Sequence, residues 1–208
     1  MKRFTVFFLT LILTNLIIYS AQINVRADEV KGEESRYILK NNVLIQKEDL
    51  SISTDFATIT LVDDEWRDVN TDKVYITGDT FEATSTSMSF DLQTEKGTLS
   101  GNVLAKIFLE ESEIEIDSNE LLIDNNNKRY EGSSENPVFI KKEDYIINAK
   151  SFVFVENENL LTLSENVHII NSVKKIDMTS TYATFNTQNN DIEAQAVNLI
   201  LEVAEEEE

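Results

Sequence analysis

Nine apolar side chains recur along this 208-residue chain at a spacing that lets them act together: Ile52, Ile59, Phe81, Met88, Ile116, Ile123, Ile147, Phe154 and Ile176. They belong to five similar segments anchored at Ile52, Phe81, Ile116, Ile147 and Ile176, which stand 29, 35, 31 and 29 residues apart. A small or slim residue follows two positions later (Thr54, Ala83, Ser118, Ala149, Met178), and seven positions later comes a further apolar one (Ile59, Met88, Ile123, Phe154, Ala183). The chemistry open to such a set is the shielding of hydrocarbon from water. Exposure costs about 0.8 kcal/mol per CH₂, so a twelve-carbon chain released into water costs on the order of 10 kcal/mol. The nine residues could line an apolar groove that binds a lipid, or they could fill the core of a closed sandwich. Both readings are open at this stage.

Reactive chemistry has little to work with. There is no cysteine, which removes disulfides, thiolate catalysis and Cys-ligated metals. The single histidine, His168, cannot build a zinc site alone, and its alternation with Val167 and Ile169 turns it outward. Carboxylates are abundant, so pairs such as Asp63/Asp64 and Asp68/Asp72 arise by chance, and residues 63–74 lack the central glycine and distal glutamate of a calcium loop. No G-x-S-x-G, phosphate-binding glycine loop or His-paired nucleophile is found. The sequence therefore reads as a non-enzyme with no catalytic residue, metal or cofactor.

The elements that must carry the apolar set are strands. From Tyr37 to Leu201 alternation dominates, as in Ile114-x-Ile116, Leu121-x-Ile123, Phe152-x-Phe154 and Leu161-x-Leu163. Period two with Val, Ile, Phe and Thr enrichment marks half-buried strands. Turn signals fall at Gln46–Asp49, Glu95–Gly97, Asp124–Lys128, Lys141–Asp144 and Glu156–Asn159, so strands and connections are expected to be short and antiparallel. A first strand is expected to start at Asn42-Val43, Asn102-Val103, Asn136-Pro137-Val138 and Asn166-Val167, with the anchor on the strand after it. Two of the turns share letters, Lys47-Glu48-Asp49 and Lys142-Glu143-Asp144. Asparagine takes over turn duty at Asn41-Asn42, Asn125–Asn127 and Asn189-Asn190, because it tolerates left-handed geometry. Residues 63–73 read as a longer acidic loop carrying Trp66, a partner contact or a cap on an open end. A roughly thirty-residue unit repeated this way implies stacked supersecondary units that bury their apolar faces on one another. The first strand (Tyr37 to Ile45) and the last (Ile192 to Leu201) are expected at opposite ends, with edges that the one proline does not protect.

The ends differ in composition. Lys2 and Arg3 precede an apolar run from Phe4 to Tyr19, and Val25-Arg26-Ala27 offers a processing site before Asp28. Residues 1–27 therefore read as a secretory signal peptide, or as an uncleaved membrane anchor. Either sends the domain, residues 28–201, out of the cytoplasm. Loss of the three basic residues in 1–27 takes the formal charge from −20 to −23. So acidic a surface excludes nucleic acid as a partner, since phosphate binding needs clustered Lys and Arg. Residues 202–208 read as an acidic, disordered tail.

The stretches Leu99-Ser100-Gly101-Asn102-Val103, Glu135 to Ile140, and Leu161 to Val167, with Ile147-Asn148-Ala149-Lys150, resemble the LptA/OstA-like family of periplasmic lipopolysaccharide-transport proteins. The resemblance runs from about Val43 to Asn186, and it departs from the family at Glu165, where a glycine is usual. It implies an all-β fold, an open antiparallel jelly roll, whose groove carries the acyl chains of lipopolysaccharide (lipid A) between membranes. It further implies other jelly-roll transport proteins of the inner and outer membrane as partners through edge-strand pairing, and allows a head-to-tail homo-oligomer. An uncleaved N-terminus would instead match the anchored LptC-like subunit of the same system. A cell-surface β-repeat protein without lipid cargo is the alternative outside transport.

Overall fold

The computed structural model describes residues 22–201, and the side chain of Glu135 is not among the described groups. Ten long strands form an uninterrupted antiparallel meander: β3 (Arg36–Lys47), β4 (Leu50–Val62), β5 (Glu65–Thr77), β6 (Phe81–Asp91), β7 (Lys96–Phe108), β8 (Glu113–Asp124), β9 (Arg129–Lys142), β10 (Tyr145–Val155), β11 (Leu160–Asn171) and β12 (Ile176–Asn186). Each end is finished by two short strands. β1 (Ile23–Arg26) and β2 (Glu29–Gly32) divide the outer edge of β3 between them, and β13 (Ile192–Gln195) and β14 (Asn198–Leu201) divide that of β12. Of the segment expected to be a signal peptide or anchor, residues 1–21 lie outside the described residues, as does the tail 202–208; Ile23–Arg26, before the expected processing point, pairs with β3.

The strands are longer than expected, 11 to 14 residues, because each runs across two leaves of one sheet. Midway along, the ladders slip: between Lys40 and Val43, Thr84 and Ser87, Ser100 and Val103, and Ser164 and Val167. At these points two residues in a row take left-handed φ: Asn41 and Asn42 (58° and 51°), Gly101 and Asn102 (76° and 49°), Glu165 and Asn166 (60° and 52°). The asparagines of the Asn-Val phrases thus sit at mid-strand bulges and not at strand starts. They bend the strand while keeping its apolar face inward. On the intervening strands a hydroxyl takes up the bend: Thr54, Ser85 and Ser118 each donate to the carbonyl two residues on. Folding along this crease lets the apolar face of one sheet cover itself. Phe81 on one leaf meets Tyr130 on the other at 5.8 Å, and Tyr145 meets Phe185 at 5.0 Å.

Residues 63–73 are not a loop. Asp63 and Asp64 make a tight turn with φ of 51° and 63°, and β5 begins at Glu65. Its acids alternate with inward Val69 and Thr71, so the acidic content belongs to a solvated strand face.

The crease yields a stability test. Asn102→Val forces a β-branched residue into left-handed φ and should cost about 1–2 kcal/mol, while Asn102→Gly should be near neutral. Urea unfolding midpoints of the two variants check this.

Candidate functional site

The register lines up one row of side chains straight through the first leaf: Ile45, Ile52, Ile76, Ala83, Ala105, Ile116, Ile140, Ile147, Ile169 and Met178. Every member is between 0% and 6% exposed. In the second leaf Ile59, Val69, Phe90, Gly97, Ile123, Tyr130, Phe154, Leu161 and Phe185 make the facing row. Beside it, Gly132 leaves room for the ring of Phe152, with which any Cβ there would collide. All nine of the predicted groove-facing residues point into this interior. Eight are buried, and Ile176, at the last hairpin, is half-buried. Their alignment was two residues out in two segments. Ile52, Ile116 and Ile147 share a row with Ala83 and Met178, while Phe81 and Ile176 lie two positions nearer the hairpin ends, alongside Ile107 and Asn171. A slip of two keeps a residue on the same face of its strand.

Opposite the crease the two leaves meet at a seam, and polar side chains close it. The Lys47 ammonium, at the end of β3, donates to the Leu92 carbonyl (2.8 Å) and the Glu95 carboxylate (2.6 Å), which also accepts from Asn125 (2.7 Å). Thr80 donates to Glu156 at 2.8 Å, with Lys128 3.9 Å from Asp79 beside it. Lys142, only 2% exposed, donates to Asn190 across the seam (3.0 Å) and to its neighbour Glu143 (2.6 Å). Burial works against the charge on Glu95, but Lys47 and Asn125 outweigh it and hold its carboxyl below the usual range. For Glu156 burial prevails over Thr80 and Lys128, and its pKa is raised. Local sequence pattern does not mark the clasp residues as a group. Their signal was the shared Lys-Glu-Asp of two turns, which places Lys47 and Lys142 at equivalent lip positions.

At the N-terminal end Trp66 packs on Tyr37 with ring centroids 4.4 Å apart. The two border an apolar cleft of about 340 Å³ with Ile23, Val25, Val30, Leu39, Ile59 and Leu92, within the roughly 300–1,000 Å³ of ligand pockets. At the other end β14 exposes Leu199, Ile200 and Leu201 by about half. His168 lies on the outer face, as expected, with Nε2 2.8 Å from Asp177. Among the described residues no group of three or more His, Cys, Asp or Glu could hold a metal ion, and no helix is long and apolar enough to cross a membrane.

A creased antiparallel sheet wrapped round an apolar interior is a β-jelly roll of the LptA kind. The fold is similar to that of LptH from Pseudomonas aeruginosa, described as the LptA-homologous periplasmic component of that organism's lipopolysaccharide transport device: TM-score 0.52 at 10% identity, covering 59% of this chain and 95% of LptH. No curated protein is significantly similar in sequence. The family model described as LptA/(LptD N-terminal domain) LPS transport protein matches residues 22–129, just over half of the chain, and the chain belongs to that family. The match reaches back past Val43 to β1 and ends at the start of β9, while the same ladder continues through β12.

A further ion pair behind the seam gives a pH test. Burial opposes the charge on Asp91, yet the Arg67 guanidinium and the N–H groups of Thr94 and Gln93 lower its pKa from 3.8 to about 2. The stability it contributes is complete above pH 4 and is lost as pH falls through that window. Thermal melts between pH 5 and 2 should show this loss, and Arg67→Leu should make the slope shallower.

Proposed function

We propose that this protein carries lipopolysaccharide across the periplasm, its acyl chains held in the jelly-roll interior and its sugars left in water. The observation that carries the reading is the continuous apolar row from Ile45 to Met178, in a chain of a lipopolysaccharide-transport family. A row of this length offers acyl chains contact at every strand, so moving by one strand never exposes a whole chain to water. In the closed state the row is shielded, and loading requires the leaves to part.

The ends suit a bridge. The apolar β14 edge and the Val25 and Val30 edge are unprotected strand edges, suited to pairing with a second jelly roll of the inner- or outer-membrane machinery or with another copy of this chain. If the export signal is removed after Ala27, β1 goes with it and Leu44–Lys47 of β3 is freed for a partner's strand. A retained N-terminus would make the protein a tethered subunit, and N-terminal sequencing of the exported protein separates the two.

The carrier reading is tested by p-benzoylphenylalanine placed at Phe154, inside, and at Lys150, outside. Irradiation with purified lipopolysaccharide should give a lipid adduct at 154 at least ten times the yield at 150. Equal yields would refute the interior as the carrier site. At the edge, Ile200→Lys should shift any concentration-dependent assembly seen by sedimentation to monomer, with circular dichroism unchanged.

A further inference from the structure

The seam is clasped unevenly. Between the Thr80–Glu156 and Lys142–Asn190 clasps, the connection Leu109–Ser112 borders a cleft of about 630 Å³ that separates it from Asn159, Thr187 and Gln188 on the facing lip. Behind the Thr80–Glu156 clasp, inside the sheet, lies a polar group that the apolar interior does not explain. Tyr130 is fully buried, its ring edge-on to Phe81 at 5.8 Å and stacked with Phe154 at 6.2 Å. Its hydroxyl makes no well-formed hydrogen bond among the described residues, and the one side chain placed to approach that role is Thr80. The polar groups that bear on it electrostatically, Thr80, Glu156 and Asp79, all belong to this stretch of seam.

Buried tyrosine hydroxyls are ordinarily paired, and phenylalanine would pack in the same place without leaving a donor idle. A donor held idle just inside a seam is suited to a ligand that is apolar on one side and carries acceptors where it crosses. An acylated sugar has that form: hydrocarbon chains, then ester, amide and hydroxyl groups at the neck, then a hydrated head.

We propose that the amphiphile loads sideways through this stretch of seam, its acyl chains passing between the lips onto Phe81 and Phe154 while the carbonyl or hydroxyl groups of its neck pair with Tyr130. The inference rests on the carrier reading above and adds to it a route and a contact. The head group then occupies the cleft beside Leu109, and the Thr80–Glu156 pair must part for the neck to pass. Glu156 is only partly withdrawn from water, so this clasp opens without exposing a deeply buried charge. The Lys142 clasp, whose ammonium is buried, stays shut and bounds the opening.

Two alterations test the two parts. Tyr130→Phe removes only the hydroxyl; its urea midpoint should be unchanged or higher, while retention of tritiated lipopolysaccharide through gel filtration should fall at least fivefold. Retention equal to wild type overturns the neck contact, whatever the stability. For the route, Leu109→Cys with Gln188→Cys places two thiols on opposite lips of a chain with no other cysteine. Bridging them with a cleavable bis-methanethiosulfonate should slow loading at least tenfold, and reduction should restore it. Unchanged loading in the bridged protein overturns sideways entry in favour of entry at an open end. If neither wild type nor the reduced pair takes up lipopolysaccharide at all, it is the carrier reading that fails.

Discussion

One constraint governs this molecule: a single antiparallel sheet has to cover its own apolar face. Each hairpin presents inward side chains that no α-helix or second sheet among the described residues arrives to bury. The solution is to bend every long strand at its middle, so that the two halves of one face pack on each other. Bending costs backbone strain in L-residues, and it is met by asparagine and glycine at Asn41, Asn42, Gly101, Asn102 and Asn166, where left-handed φ is cheapest. On the other strands Thr54, Ser85 and Ser118 supply hydroxyls to carbonyls at the bend. Because the crease recurs strand after strand, the buried apolar interior runs unbroken across the ladder.

The crease side is continuous backbone, and the seam side is not. Closure there depends on side chains reaching from one row of turns to the other, and in a chain of formal charge −20 the few cations are decisive. Lys47 and Lys142 stand at equivalent lips, each withdrawn from water and each held by an acceptor across the gap. Parting the lips at Lys47 separates a buried ammonium from its carboxylate, whereas Lys142 keeps Glu143 on its own lip and gives up only the bond to Asn190. The seam is therefore graded in strength along its length, while the crease is uniform.

Much of this was legible in the residues, and what was missed follows one pattern. Period two reports which face a residue occupies but not its position along the strand. The face each residue takes is therefore insensitive to Phe81 and Ile176 being matched two residues out of register. The Asn-Val phrases were visible as repeats and read as strand starts, because Asn signals chain reversal equally well in a turn and in a bulge; only pairing partners on both sides distinguish the two. The acids of Asp63 to Asp72 suggested a loop, since charge density masked the alternation of Val69 and Thr71 beneath it. The clasps could not be inferred from local pattern at all. Lys47 and Glu95 are 48 residues apart and meet only because the sheet folds over. Tyr130 is likewise an ordinary inward aromatic in sequence, and the setting of its hydroxyl behind Thr80 is a property of the packed interior.

The ladder continues unchanged beyond the stretch that the family model matches. The family match stops at Arg129, yet β9 to β12 continue the same rows, the same crease and the same seam. Each strand adds about 4.8 Å, so these four lengthen the apolar interior by roughly 19 Å. No new core had to be invented for this, because every added strand buries its inward residues against neighbours already arranged to receive them. Lengthening in this way leaves the chemistry at each point unchanged and alters only how far one copy reaches. It also moves the exposed apolar edge of β14 outward, so that the surface most in need of a partner stays at the tip however many strands precede it.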